Sequence, residues 1–307
     1  MKKTRPRSRP EKKTLKSDTF TVGTKGQLLD SLIATFPSKS RKLLKAVLRN
    51  QQVLVNSRAV TQFDHPLDVG QSVEVRWEKP SSQKRPHGLN IVFEDDDVIV
   101  INKPAGLLTV ATDKEKRKTA YALLSDYVKL EDPDNKIFIV HRIDRETSGL
   151  LLFAKNEKIK RKIQETWITT IKERSYIAVV EGEIKQESGT ITSYLNESKA
   201  FTVYSSQNPK VGKKAVTHYK TLKSNKDFSL LQVNLETGRK HQIRVHLQDI
   251  GHPVVGDAKY GSKIKPIGRL ALHAQGLVFT HPKTNELCSF ETGIPERFNQ
   301  LFTQAQK

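Results

Sequence analysis

Apolar positions follow two different rhythms along the chain, and the change between them comes near residue 90. Between residues 25 and 78 they recur at helical spacing. Leu28, Leu29, Leu32 and Ile33 share one face, and Leu43, Leu44, Val47 and Leu48 share another. Residues 53–60 read as a tight hairpin with Asn56 and Ser57 at its turn, and residues 68–75 as a turn leading into a strand. From residue 90 onward the runs are short and rich in branched and aromatic side chains, at 91–93, 98–101, 137–140 and 150–153, as buried strands require. Alternation puts Tyr176, Ala178 and Val180 on one face of a further strand, and Leu230, Leu231, Val233 and Leu235 mark another. Beyond that strand, Thr237 or Gly238 is the expected start of a helix carrying Ile243, Leu247 and Ile250, with Gly251 as its stop.

The segments between these patterns suggest the domain layout. Residues 1–24 hold Lys, Arg, Pro, Ser and Thr with hardly any bulky apolar side chain, so they read as a disordered basic arm. Residues 25–78 form a small α/β domain, residues 79–89 a linker with prolines and serines, and residues 90–307 a larger domain. Composition adds a partner class. The chain has 53 Lys and Arg against 33 Asp and Glu, a net charge of +20, which suits a polyanion through counterion release and long-range attraction. A membrane is the rival explanation of basic charge. It is disfavoured because no apolar run approaches the ~20 residues of a span and the basic start leads into prolines instead of an apolar core. The single Cys288 excludes an intrachain disulfide and agrees with a reducing, cytoplasmic setting.

One polar stretch lies between two of the apolar runs: His141-Arg142-Ile143-Asp144-Arg145-Glu146-Thr147-Ser148-Gly149. It must be a connection at the end of a sheet, so Asp144 is presented by a loop on a rigid base, where catalytic groups tend to sit. A carboxylate can add covalently and leave again when it stays ionised, and a neighbouring arginine favours the ionised form. In isolation the same residues describe an ordinary surface ion pair of Asp144 with Arg142 or Arg145, contributing about 0–1 kcal/mol. Two later segments tip the balance. Lys172-Glu173-Arg174-Ser175-Tyr176-Ile177-Ala178-Val179-Val180-Glu181-Gly182 is the strand noted above, and Glu236-Thr237-Gly238-Arg239-Lys240-His241-Gln242-Ile243-Arg244-Val245-His246-Leu247 opens the expected helix.

The three segments, in this order, resemble the RluA-type pseudouridine synthases. The family pattern is His-Arg-Leu-Asp followed by Thr-Ser-Gly, then Lys-x-Tyr-x-Ala-x-Val-x-Gly, then Thr-Gly-Arg-x-His-Gln-Ile/Leu-Arg-x-His. Ile143 replaces Leu in the first, and Arg174 lies two before the tyrosine in the second. Asn102-Lys103-Pro104-Ala105-Gly106, Gly251-His252-Pro253-Val254-Val255-Gly256-Asp257, Arg269-Leu270-Ala271-Leu272-His273-Ala274 and Phe279-Thr280-His281-Pro282 extend the resemblance from about residue 90 to about 298. Such enzymes detach uracil from ribose, turn it and rejoin it through carbon 5 instead of nitrogen 1.

The resemblance implies an α+β fold with a mixed, mostly antiparallel central sheet flanked by helices, and a cofactor-independent isomerase. It assigns Asp144 as the nucleophile, Arg244 as its ion-pair partner, and Tyr176 as the ring lying against the extruded uracil, with a part in proton transfer at carbon 5. Arg142 is then free to enter the RNA helix, and His141, Arg239 and His241 are expected to contact RNA. The order of elements in residues 25–78 looks like the RNA-binding module named after ribosomal small-subunit protein S-four, with Arg41, Lys42, Lys45 and Arg49 as its basic face. Large-subunit ribosomal RNA is the favoured substrate and tRNA the second, with monomer as the default state. The basic arm either touches RNA nonspecifically or only keeps the chain soluble. A metal is not expected, since His141, His241, His246, His252 and His273 lack the His-Glu-x-x-His arrangement and no Cys-x-x-Cys exists. A non-catalytic ribosome-assembly factor and a nucleoside hydrolase are the rival readings.

Overall fold

The computed structural model describes residues 17–50, 52–77 and 88–303. The chain divides into two compact units, 1–84 and 85–307. Most of the expected arm (1–16) and the expected linker from 79 to 87 lie outside the described residues.

The first unit contains β1 (Ser17–Thr21), β2 (Gly26–Gln27), α1 (Leu28–Thr35), α2 (Arg41–Arg49), β3 (Val53–Val55), β4 (Arg58–Ala59), β5 (Pro66–Leu67) and β6 (Ser72–Arg76). Strands β1, β6, β3 and β4 form one sheet in that order. Leu28, Leu29, Leu32, Leu44, Val47 and Leu48 from the helices pack with Val53, Val55, Val73 and Val75 from the sheet. Ser40 caps α2, its Oγ accepting the Leu43 N–H at 3.2 Å. Asn56 and Ser57 both have positive φ, at 47° and 67°, which is the geometry of a two-residue hairpin turn.

Two expectations change here. Ser17–Thr21, assigned above to a disordered arm, is an edge strand paired with β6. Backbone pairing needs few apolar side chains, and Phe20 with Val22 supplies enough contact with the core. Leu43, expected on the apolar face of α2, is 42% exposed and belongs with the basic residues instead.

The second unit begins with β7 (Asn90–Glu94) and β8 (Val98–Lys103), then α3 (Ala120–Lys129), β9 (Phe138–Ile139) and β10 (Ser148–Ala154). Next come α4 (Glu157–Glu165), α5 (Trp167–Thr170), β11 (Ile171–Glu181), β12 (Ser188–Glu197), β13 (Val203–Ser206), β14 (Lys213–Ser224) and β15 (Phe228–Leu235). It ends with α6 (Gln242–Asp249), β16 (Leu272–Thr280), β17 (Leu287–Glu291) and α7 (Glu296–Gln300). Nine strands follow the order β13-β12-β14-β15-β11-β16-β10-β8-β7, with β17 on β16 and β9 on β10. The pairs are antiparallel except β10 with β16. The apolar run at 137–140 yields only the two-residue β9.

The continuous apolar runs follow from a sheet covered on both sides. Ile99, Ile101, Leu151 and Phe153 join the core that includes α3, α6 and α7. Val98, Val100, Leu150 and Leu152 face the other core, beneath Ile159 and Ile163 of α4. When both faces are buried, alternation between polar and apolar residues disappears.

The parallel pair lies beside the polar loop. Ser148 is in register with His273 and Gly149 with Ala274. Gly149 has φ +114°, and a Cβ there would lie 2.1 Å from the Ala274 carbonyl oxygen. The glycine of Thr147-Ser148-Gly149 is thus required both by its backbone conformation and by the close approach of β16. Gly149→Ala is expected to lower stability by about 3 kcal/mol in urea unfolding; an unchanged midpoint would show that the strands separate without cost.

Candidate active site

Residues 141–147 leave β9 and turn back into β10, so Asp144 is fixed from both sides by sheet. Its carboxylate is 28% exposed, and Oδ2 accepts from Arg244 Nη1 at 3.0 Å. Arg244 comes from the first turn of α6, one hundred residues away. Its remaining nitrogens grip Asp257, Nε donating to Oδ2 at 2.6 Å and Nη2 to Oδ1 at 2.8 Å. The guanidinium also lies 4.8 Å from the centre of the Tyr260 ring. Burial alone would pull the Arg244 pKa down, but the hydrogen bonds and charges of Asp257 and Asp144 hold it above the ordinary arginine value.

The helix is held by a buried polar network. His246 is bracketed by Ser193 on β12, Oγ to Nε2 at 3.0 Å, and Thr217 on β14, Oγ1 to Nδ1 at 2.8 Å. Burial pushes its pKa down to about 4, so the ring is neutral at physiological pH. Ile243 and Leu247 face the main core, and Val245 packs against Leu195, Val203, Ala215 and Tyr260. The loop before the helix is tied by Gln242. Its Oε1 accepts from the Arg239 N–H and the Thr237 hydroxyl, and its Nε2 donates to the Val216 carbonyl and Thr217 Oγ1. All four hydrogen-bonding positions of that buried amide are therefore used.

The helix starts at Gln242, not at Thr237 or Gly238. His241 precedes it in the left-handed conformation, φ 56°, and residues 237–240 are a loop held by Gln242. The turn turns the imidazole toward the site. His241 Nε2 lies 3.8 Å from Asp144 Oδ2, and Nδ1 lies 2.7 Å from the Tyr260 hydroxyl. Burial lowers the His241 pKa, the Asp144 charge opposes this, and Arg244 adds to it. Ile250, expected on the apolar helix face, is the C-cap and is 36% exposed.

These residues surround a small, open pocket of about 80 Å³ with Asp144, Tyr176, Arg142, Arg174, Arg239, His241 and Arg244 in its wall. Tyr176 is buried, and burial pushes its phenol pKa above the usual value of 10, with Arg174 opposing and Asp144 reinforcing the shift. Outside this pocket a wider cleft of about 720 Å³ carries Arg142, Arg145, Arg174, Arg239 and Lys240. Arg174 stacks over Trp167 at 5.4 Å, and neighbouring Ile168 projects from the rim with 90% of its surface exposed.

The expected site residues therefore separate into groups. Asp144, Tyr176, Arg244, Arg142, Arg239 and His241 meet at one pocket. Arg145, an alternative partner for Asp144, instead donates to the Gly106 carbonyl at 3.0 Å and lies 3.6 Å from Glu146. His141, expected to contact RNA, uses Nε2 to accept the Leu152 N–H at 3.1 Å and packs against Trp167. Burial pushes its pKa down to about 3, so it serves the strand as a neutral ring. Arg41, Lys42, Lys45 and Arg49 are exposed on α2 of the first unit.

Two residues were overlooked in the sequence. Asp257 ends the Gly-His-Pro-Val-Val-Gly-Asp run, a charged residue one glycine beyond an apolar pair, and holds Arg244 from behind. Lys103 ends β8 and is fully buried, its Nζ donating to the carbonyls of Pro104 at 3.0 Å, Leu107 at 2.7 Å and Arg145 at 3.1 Å. It clamps the Asn-Lys-Pro turn to the residue after Asp144. Burial lowers its pKa to about 8, against the opposing charges of Glu146 and Asp144.

Among the described residues, one group away from this site could in principle hold a metal: Asp95, Asp97 and His281. Its chemistry argues otherwise. His281 Nδ1 accepts the N–H groups of Lys283 and Thr284, which leaves the ring proton on Nε2, 3.1 Å from Asp95 Oδ2. Asp97 is meanwhile 3.2 Å from Lys283 Nζ. A metal would need the lone pair that this tautomer lacks.

The sequence pattern of the family described as RNA pseudouridylate synthase matches residues 97–249, from β8 to the end of α6. The uncharacterized RNA pseudouridine synthase YhcT of Bacillus subtilis is 34% identical over 90% of this chain and 92% of its own length. The chain belongs to the RNA pseudouridine synthase family. It is an isomerase, and its mostly antiparallel α+β sheet is the fold of that family. Ribosomal large subunit pseudouridine synthase D of Haemophilus influenzae is 34% identical, covering 90% of each chain. Human RNA Pseudouridylate Synthase Domain Containing 1 superposes with a TM-score of 0.55 at 25% identity, covering 71% of this chain and 87% of its own.

Two outcomes follow from the site. Asp257→Ala leaves a buried guanidinium short of a partner and is expected to cost about 3–5 kcal/mol in urea unfolding; a loss below ~1 kcal/mol would mean that Asp144 alone suffices. For Lys103, the ammonium has one N–H for each of three carbonyls, whereas the neutral amine has two. Turnover is therefore expected to fall as pH rises through about 8. Stability moves the opposite way for this group: its folded pKa lies below the unfolded 10.5, so the cost of burying the charge is withdrawn between about pH 8 and 10.5. Lys103→Met should lower kcat about 10- to 100-fold and flatten the alkaline limb of the pH profile, and an unchanged limb would remove the clamp.

Proposed function

We propose that this chain isomerises uridine to pseudouridine in large-subunit ribosomal RNA, with Asp144 as its nucleophile. The observation that carries this reading is the Asp144–Arg244 pair at 3.0 Å in the wall of a pocket shared with Tyr176. In the reaction the bond from N1 to C1′ breaks and one from C5 to C1′ forms, while C5 loses a proton and N1 gains one. Asp144 attacks either C1′ or the uracil ring, and a carboxylate paired with a fixed guanidinium suits both routes. A uridine must leave its stack to reach the pocket, and the Tyr176 ring offers a face for the displaced base. The raised phenol pKa argues for Tyr176 as that face over Tyr176 as a base at neutral pH.

Arg142 is exposed at the pocket mouth, where a planar donor fork can fill the gap left in the RNA helix. Arg239 and Lys240 line the same cleft and suit phosphates. We assign to the first unit a supporting RNA contact through Arg41, Lys42, Lys45 and Arg49, in the manner of the S-four module. Large-subunit RNA is preferred because three relatives at 33–34% identity are named ribosomal large subunit pseudouridine synthase D. A cytoplasmic location follows from that substrate.

Mapping pseudouridines in total RNA from cells with and without this gene tests the substrate, since sites in large-subunit RNA should disappear. Restoring the gene as Asp144→Ala should leave them missing, with kcat in vitro reduced about 10⁴-fold or more while RNA binding persists. Sites restored by that variant would remove Asp144 from the chemistry, and free uracil among the products would indicate hydrolysis instead.

A further inference from the structure

The loop joining β12 to β13 contains a residue that folding alone would not choose. The Phe201 N–H bonds to the Ser198 carbonyl at 2.9 Å, and the Ser198 N–H to the Thr202 carbonyl at 2.8 Å. This is a tight turn followed by one left-handed residue, a position that normally takes glycine or asparagine. Phe201 occupies it with φ 57°. A β-carbon with a bulky ring is strained there. The ring gains no burial in return, since it is 72% exposed. Strain of this kind in an exposed aromatic residue is a reason to look for a ligand.

The surroundings indicate which ligand. Lys240 Nζ sits 5.9 Å from the ring centre and pairs with Glu197, and Lys259 Nζ donates to the Phe201 carbonyl at 2.8 Å. Lys199 is exposed two residues before the ring. Lys240 itself lines the wide cleft, next to His241, which faces Asp144. An exposed aromatic face among lysines, continuous with a basic cleft, matches the way proteins hold unpaired nucleotides: bases stack on the ring while cations track the phosphates.

We propose that Phe201 is a stacking platform for an unpaired nucleobase of the RNA that occupies the Asp144 cleft. The inference rests on RNA being the substrate, as argued above. It makes Phe201 a determinant of RNA binding that takes no part in the isomerisation.

The test uses the full chain and poly(U) as a single-stranded probe, with affinity, its salt dependence and the melting temperature measured together. Phe201→Gly is expected to weaken binding about 5- to 100-fold, the range of one lost base–aromatic stack. The same change relieves the left-handed strain, so the melting temperature should hold or rise by about 1–3 °C. The slope of affinity against salt should not change, because no charge is removed. Phe201→Trp should keep the affinity. Wild-type affinity in Phe201→Gly overturns the proposal, as does weakened binding accompanied by a lowered melting temperature, which would mark the ring as a packing residue. Loss of affinity in Phe201→Trp overturns it too. Absence of pseudouridine formation by the wild-type chain would strike the reading of its function, while the poly(U) result would still decide the role of Phe201.

Discussion

A guanidinium taken out of water must be matched by negative charge, and Arg244 is matched twice. Asp257 grips one edge through two hydrogen bonds, and Asp144 takes the remaining nitrogen. The two carboxylates differ in what surrounds them: Asp257 is sealed in, while Asp144 opens onto the pocket. Arg244 is thereby anchored by the buried partner and offers its free corner to the carboxylate that faces the pocket. An aspartate held this way has one oxygen fixed by a hydrogen bond and is aimed by a residue that cannot itself move, which is the preorganisation that a covalent step requires.

The rest of the catalytic unit serves that geometry. The parallel strand pair, β10 on β16, brings Gly149 against Ala274 and fixes where the polar loop rejoins the sheet. Lys103 pulls the neighbouring turn onto the residue after Asp144 through three carbonyls. On the other side, His246 and Gln242 use hydroxyl and backbone partners on β12 and β14 to seat α6. Each of these buried polar groups costs free energy unless fully bonded, and each is bonded to an element that must not shift.

Around this rigid centre the surface is basic and less tightly held. Arg142, Arg174, Arg239 and Lys240 line a cleft much larger than the inner pocket, with Trp167 and Ile168 adding apolar and aromatic surface to it. The division suits a polymeric substrate: long-range charge gathers the strand, while a small pocket has room for one base.

What could be read from the chain alone were the features set by local rules or by distinctive residue order. Helices α1 and α2 showed in their 3.6-residue spacing, the strands in their short branched runs, and Asp144, Tyr176 and Arg244 in motifs whose order admitted few meanings. The start of α6 was misjudged because Thr237 and Gly238 carry ordinary helix-start signals, whereas the real boundary is set by Gln242 bonding to β14. Ser17–Thr21 was missed because an edge strand can be held mainly by backbone bonds to its neighbour. Asp257 and Lys103 had visible signals, each a charge beside an apolar run, but their roles depend on partners across the fold. Charge pairing acts through space and carries no periodicity along the chain, so only the tertiary structure could decide that Arg244 is shared between two carboxylates, Asp257 buried behind it and Asp144 open to the pocket.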